Sequence, residues 1–410
     1  MTSNPPRILV LLTAHFPAKK GDASFVGQEI DALSKAFDEI LIFSSAKPEG
    51  DLESLPGNVR YVGTLNRPGH KAELKRLGVR TLQLLPPLYK AWLQERRFAK
   101  DHDRRRNWKQ DLKIGFKRAI VLFDVIPKNA NVTVYSFWGY ANGLCLPFLP
   151  GKFRKVIRFH GGDLYEYRVG ELPLRAAILQ SADAVVPISA DGAKYLLSAF
   201  SEVITSEKVK VVRLGTLDQG VGPTPKPDSE DNEWVVASCS AVSEVKRVAK
   251  LLPALESIAN SRRVRWVHFG DGPLMEELQD QVADACKRTP SFTAQLRGHV
   301  PHSEVTEFYR QVPVHAFVNV SSSEGLPVSI MEAMSFGVPV VATDVGGTAD
   351  LVGEELESGL LIDSEFATSE LAEKIASVCM KRDKWRPRQT WSKLCNAEVQ
   401  CEKIVEVLTK

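Results

Sequence analysis

Glu324 and Glu332 stand eight residues apart in the run SSSEGLPVSIMEAMSFGVPVVATDVGG, residues 321–347. Pro327 suits a first helical turn and Gly337 a helix end, so the pattern predicts a strand end, a polar loop and a helix over 327–336. Loop and helix amides around Gly325, Leu326 and Val328 would point out of that helix start without intrahelical partners, a ready place for a phosphate. A carboxylate at Glu324 beside such an anion makes electrostatic sense if its task is to accept hydrogen bonds from hydroxyls. Sugars and riboses supply those. The plainer alternative is an exposed helix start with solvated carboxylates.

Three further segments carry chemistry-bearing residues. Lys246 and Arg247 follow the apolar run Trp234–Ser238 at a helix start. A cation there opposes the helix dipole, which an anionic ligand would offset; a solvated lysine is the competing reading. His160 follows the apolar run Lys155–Phe159 and precedes Gly161, Gly162 and Asp163. A histidine after a strand is commonly a structural hydrogen-bonder, but two glycines beside it leave room for a ligand. Gly21 and Gly272 lie in strand-to-helix turns. The single Asp-x-Asp, Asp101-His102-Asp103, falls in a basic helical stretch and not at a strand end. It reads as solvated surface, and no metal site is expected.

These segments need a scaffold that gathers strand ends. A chain of 410 residues implies two domains, and 44% hydrophobic with 25% charged residues is a globular composition. Apolar strands are predicted at residues 7–12, 40–43, 132–137, 155–159 and 184–187, with helices between them. A Pro-, Gly- and acid-rich stretch at 220–233 reads as a linker. A second series follows, with strands at 234–238, 264–269, 295–296, 316–320 and 338–342. Continuous apolar strands alternating with helices imply parallel sheets covered on both faces. The fold expected is α/β, two Rossmann-like doubly wound domains facing across a cleft, with ligand at the carboxyl ends of the strands. The six cysteines show no zinc or redox spacing and read as small buried hydrophobes in a reducing cytoplasm. Residues 8–12 are too short for a signal peptide, and no apolar run approaches the roughly 18 residues of a membrane span. A net charge of +3 argues against a nucleic-acid coat.

Glu324 and Glu332, with the intervening GLPVSIM and the following EAMSFGVPVVATDVGG, resemble the E-x7-E signature of family 4 glycosyltransferases. Arg158-Phe-His160-Gly-Gly-Asp163 is similar to that family's HG-x-D strand end, and PISADGAKYL at 187–196 to its capsular and exopolysaccharide subgroup. The resemblance covers most of the chain outside residues 60–125 and implies a retaining enzyme of GT-B fold. The acceptor domain would span 1–214, the nucleotide-sugar domain 215–390, and a C-terminal helix at 391–410 would return towards the first domain. It implies catalytic roles for His160, Lys246 and Glu324. Gly21, Arg247, Gly272, Gly325, Leu326, Val328 and Glu332 would bind the donor, Glu332 through the ribose, and Arg158 and Asp163 would lie near the acceptor. The family often has an arginine where this chain has Ala241, so half of the usual diphosphate clamp is absent or supplied by Arg247. With no metal and no cofactor expected, Lys246, Arg247 and helix amides would meet the leaving-group charge.

Residues 67–118 carry sixteen Lys/Arg against five Asp/Glu, with Leu74, Leu77, Leu84, Leu85, Leu88, Trp92 and Leu93 near helical spacing and a break at Pro86-Pro87. Such a stripe fits a helix packed on its own domain, or a surface resting on anionic lipid at the inner face of the cytoplasmic membrane. No alternation of aromatic and basic residues supports nucleic-acid binding. The partners expected are a nucleotide sugar and a saccharide or lipid-linked saccharide acceptor. Two readings compete with a transferase: a nucleotide-sugar hydrolase or epimerase of the same fold, and a non-enzymatic membrane-binding module.

Overall fold

The computed structural model describes residues 5–66, 75, 77–95, 102–225 and 233–410. The chain forms two compact units, Met1–Arg213 with Gln400–Lys410, and Leu214–Val399. The first holds a sheet of β1 (Arg7–Thr13), β2 (Glu39–Ser44), β3 (Val59–Thr64), β4 (Asn131–Ser136), β5 (Arg154–Phe159) and β6 (Ala184–Pro187). The second holds β7 (Trp234–Cys239), β8 (Val264–Phe269), β9 (Phe292–Leu296), β10 (Ala316–Asn319), β11 (Val340–Thr343) and β12 (Gly359–Ile362). Every pairing in both sheets is parallel. The orders are β3-β2-β1-β4-β5-β6 and β12-β11-β10-β7-β8-β9, the same doubly wound arrangement twice.

Strand β1 shows why the first sheet is parallel and covered. Ile8, Val10 and Leu12 enter one core with Ile120 and Phe123, while Leu9 and Leu11 enter another with Val26, Ile30 and Leu33. An uninterrupted apolar strand therefore serves two faces at once. Helix α1 (Ala23–Ala36) covers the second face with that 3–4-spaced stripe. The sequence reading missed the edge strands β3 and β12, while the other two edges, β6 and β9, fall in expected runs. Val59–Thr64 interleaves polar and apolar residues, and Gly359–Ile362 is four residues long.

The basic segment falls partly outside the described residues: 67–74, 76 and 96–101, with Leu74 and Asp101 among them, belong to that remainder. The described part forms helices α2 (Leu85–Glu95) and α3 (His102–Val125). The expected interruption at Pro86-Pro87 coincides with the change from a 3-10 helix, Gly78–Leu84, to α2, whose first turn the two prolines occupy without costing a helical bond. The stripe divides into two faces. Leu77, Leu84, Ala91 and Trp108 join the core. Leu82, Leu85, Tyr89 and Trp92 stay exposed, at 59, 46, 63 and 42%.

Helix α4 spans His302–Gln311 and α5 spans Val328–Ser335; α5 has Pro327 as its N-cap. The final helix, α6 (Ala397–Thr409), places Ile404 and Leu408 in the first unit's core. Residues 391–399 stay with the second unit, because Trp391 Nε1 donates to Thr216 Oγ1 at 2.8 Å and Thr216 bridges to Asn396.

Candidate functional site

In the second unit the strand order reverses between β7 and β10, which leaves a crevice at their carboxyl ends. The loops after these strands meet there. Lys246 Nζ donates to Glu324 Oε1 at 2.7 Å, and Asn319 Nδ2 donates to the same oxygen at 3.2 Å. Asn319 also accepts from the Ser321 amide at 3.0 Å, so one side chain orders both the loop and its carboxylate. Glu324 is buried, and Lys246 keeps about a quarter of its side chain exposed, at 27%. The chain thus gives Lys246 a carboxylate of its own. Glu324 balances the lysine's charge, so no anionic ligand is needed to offset the helix dipole there.

Arg247 stands differently. It adopts left-handed backbone, φ 49°, and spends its guanidinium on the carbonyls of Val320 (2.8 Å), Ser364 (2.9 Å) and Ser321 (3.2 Å). It also reaches Glu365 Oε1 at 3.4 Å, so it braces the loop after β7 against those after β10 and β12, chiefly through backbone carbonyls. Gly346 follows β11 at φ +54°, and a Cβ there would overlap the Glu324 carbonyl. The Gly347 amide donates to the Gly325 carbonyl at 2.9 Å. The Gly-Gly pair therefore lets two loops touch and fixes the Glu324–Gly325 peptide. Leu326 is buried and Val328 opens α5. Gly272 is explained by packing, since a Cβ would overlap the backbone of Val242.

Glu332 lies on α5 and pairs with a residue that the sequence reading missed. His302 Nε2 and Glu332 Oε1 are 2.7 Å apart. That hydrogen bond raises the His302 pKa above its usual 6.5 against a smaller opposing effect of burial. Near Glu332, burial first and its negative charge second push the Cys239 thiol up to about 12. His302 could have been suspected only from its place one residue after Pro301.

In the first unit the corresponding crevice lies between β1 and β4. Asp22 accepts from the amides of Ala14 (2.6 Å), His15 (2.9 Å) and Phe16 (3.0 Å), and from Trp138 Nε1 at 3.2 Å. The indole lies 4.4 Å from the His160 ring, centroid to centroid, and Phe137 lies 5.0 Å away on its own account. Burial, then the charge of Arg158, holds His160 well below its ordinary pKa, so the ring is neutral. Neither ring nitrogen has a hydrogen-bond partner among the described residues. Asp163 caps the short turn after β5, accepting from the His160 amide at 2.8 Å and the Gly139 amide at 2.6 Å. Burial raises its pKa to about 6. Gly21, at φ +65°, sits against the His15 ring.

Arg158 belongs to the interior. It is 1% exposed, pairs with Glu29 of α1, and donates to Tyr135 Oη at 3.1 Å and to the carbonyls of Val212 (3.2 Å) and Arg213 (3.0 Å). Its two terminal nitrogens are spent on its own core, while Nε has no hydrogen-bond partner among the described residues.

Residues 224–393, most of the second unit, match the family model described as Glycosyl transferases group 1. Among curated proteins, the chain is 33% identical over 130 residues to the putative teichuronic acid biosynthesis glycosyltransferase TuaC of Bacillus subtilis, covering 32% of this chain and 29% of that one. It is 23% identical over 254 residues to the amylovoran biosynthesis glycosyltransferase AmsK of Erwinia amylovora, covering 59% and 60%. The matches thus span less than two thirds of these relatives' length. Among solved structures, HepE of Anabaena in complex with UDP and glucose superimposes with a TM-score of 0.62 at 17% identity, over 98% of this chain and 99% of that one. The fold is GT-B, two parallel-sheet α/β units. Among the described residues, no group of three or more His, Cys, Asp or Glu could hold a metal, and no helix is long and apolar enough to cross a membrane.

Proposed function

We propose that the chain is a retaining, metal-independent glycosyltransferase that moves a hexosyl unit from a nucleotide-diphosphate sugar to a glycan or lipid-linked saccharide in cell-surface polysaccharide synthesis. The observation that carries this is the Lys246–Glu324 pair at the switch point of the unit that matches the Glycosyl transferases group 1 model. Glu324 accepts from donor-sugar hydroxyls, Glu332 accepts from the ribose, and the amides opening α5 face the phosphates. As the bond from the anomeric carbon to the diphosphate breaks, negative charge grows on the leaving oxygen. Lys246 and those amides then gain more than they had in the ground state, which is the condition for catalysis. His160, neutral and with no hydrogen-bond partner for its ring among the described residues, is the first unit's candidate beside the reacting carbon, with Asp163 holding its backbone. The saccharide-polymer roles in the names of TuaC and AmsK support the acceptor class.

The exposed stripe Leu82, Leu85, Tyr89 and Trp92 supports a peripheral seat on anionic lipid, since aromatic rings and basic neighbours suit the interface. Incubation with a panel of UDP- and GDP-sugars, with and without EDTA, tests the whole reading. A new glycosidic bond of the donor's anomeric configuration, formed in EDTA, is expected by proton NMR. Free sugar, an isomerised donor or the opposite anomer would sink it.

A further inference from the structure

We propose that His302 is a positioning residue for the nucleotide ribose. Its imidazole holds one oxygen of Glu332 and leaves the other for ribose hydroxyls, so the site prefers ribonucleotides over 2′-deoxyribonucleotides. The inference rests on the reading that Glu332 receives the ribose.

The geometry is specific. His302 is the first residue of α4, set by Pro301 at the N-cap, and its Nε2 meets Glu332 Oε1 at 2.7 Å. The carboxylate side chain is 19% exposed and the imidazole 61%, so the histidine stands outside and the glutamate is held beneath it. Facing Glu332 are also the Cys239 thiol from the end of β7 and the Tyr309 hydroxyl from α4, and neither carries positive charge. Among the described residues, His302 is therefore the ion-pair partner of Glu332. An exposed pair of this kind adds little to stability. What it does is restrict a glutamate that would otherwise sample several rotamers, and a carboxylate already oriented binds a diol without ordering it first. With Oε1 engaged, Oε2 is the oxygen that accepts, and a nucleotide lacking the 2′-hydroxyl forfeits part of that contact. The imidazolium strengthens the hold below its raised pKa, and the hold weakens as pH rises through that value.

The test is calorimetric titration of UDP and GDP, each beside its 2′-deoxy counterpart, into the full chain near pH 6.5 and near pH 8.5. His302→Ala should weaken the tighter-binding ribonucleotide about three- to five-fold, the scale of one exposed charged pair, and shrink the ribose preference by a similar factor. His302→Gln, whose amide can donate to Glu332, should restore the preference and lose the pH dependence that wild type shows beyond the nucleotide's own ionisation. Glu332→Ala sets the reference. Should it weaken binding while His302→Ala keeps wild-type affinity, ribose preference and pH profile, the role of His302 is overturned and the ribose reading stands. If Glu332→Ala binds as wild type does, the ribose reading falls and this inference with it.

Discussion

The two sheets run in the same order, yet the charged side chains near their strand ends differ in how far they are locked into the fold. In the first unit, Asp22 is used up by three backbone amides and an indole, and Arg158 by a glutamate, a tyrosine and two carbonyls. In the second, Lys246, Glu324, His302 and Glu332 are paired side chain to side chain, and Lys246 and His302 keep contact with solvent. Backbone-directed pairs lock a loop's shape. Side-chain pairs at a crevice mouth can exchange partners with a ligand. Topology decides where loops gather; residue type decides whether the gathered groups are locked or available.

Arg158→Ala strands Glu29 in the core and should cost about 3–5 kcal/mol in the first unit's unfolding transition, with nucleotide affinity unchanged. Chemical denaturation monitored with and without UDP or GDP would show this, and loss of nucleotide binding from a chain still folded would return Arg158 to the site. Lys246→Ala should lower turnover at saturating donor on the order of a hundred-fold, the scale of one lost transition-state donor. An unchanged rate there would mean that the pair with Glu324 only shapes the loop. Glu332→Ala should weaken nucleotide binding by about 1.5–3 kcal/mol, a charged acceptor's worth, measured by titration. The smallest effect concerns His268, whose pKa burial lowers to about 4 while Ser238 holds Nδ1 at 2.8 Å. A histidine depressed in the fold stabilises fully above its ordinary 6.5 and loses that contribution as pH falls towards about 4. The second unit should therefore lose about 1 kcal/mol near pH 5.5, and His268→Asn should flatten that loss in pH-resolved denaturation curves.

The alternation of apolar runs was enough to expect two doubly wound sheets, because a strand covered on both faces must be apolar along its length, as Arg7–Thr13 and Trp234–Cys239 are. The edge strands β3 and β12 were not legible, since Val59–Thr64 mixes polar with apolar residues and Gly359–Ile362 is only four residues long, whereas the edge strands β6 and β9 fell in expected runs. Within the site, the loop around Glu324 and the start of α5 were legible because Pro327 and Gly337 mark helix ends by local backbone preference. Residue type also marked Lys246, His160 and Glu332 as chemically capable.

What each capable residue faces was decided by tertiary structure alone. Arg158 and Arg247 carry the same guanidinium as any binding arginine, and nothing in their neighbours along the chain says that Glu29, 129 positions away, and the Val320 carbonyl, 73 away, take it up. His302 reads as an ordinary residue until α4 and α5 pack and bring it to Glu332, thirty positions on. Local backbone preferences and hydrophobic periodicity act over a few residues and are written in sequence. Hydrogen bonds between strand-end loops join residues far apart in the chain, and only the folded sheet order sets which of them meet.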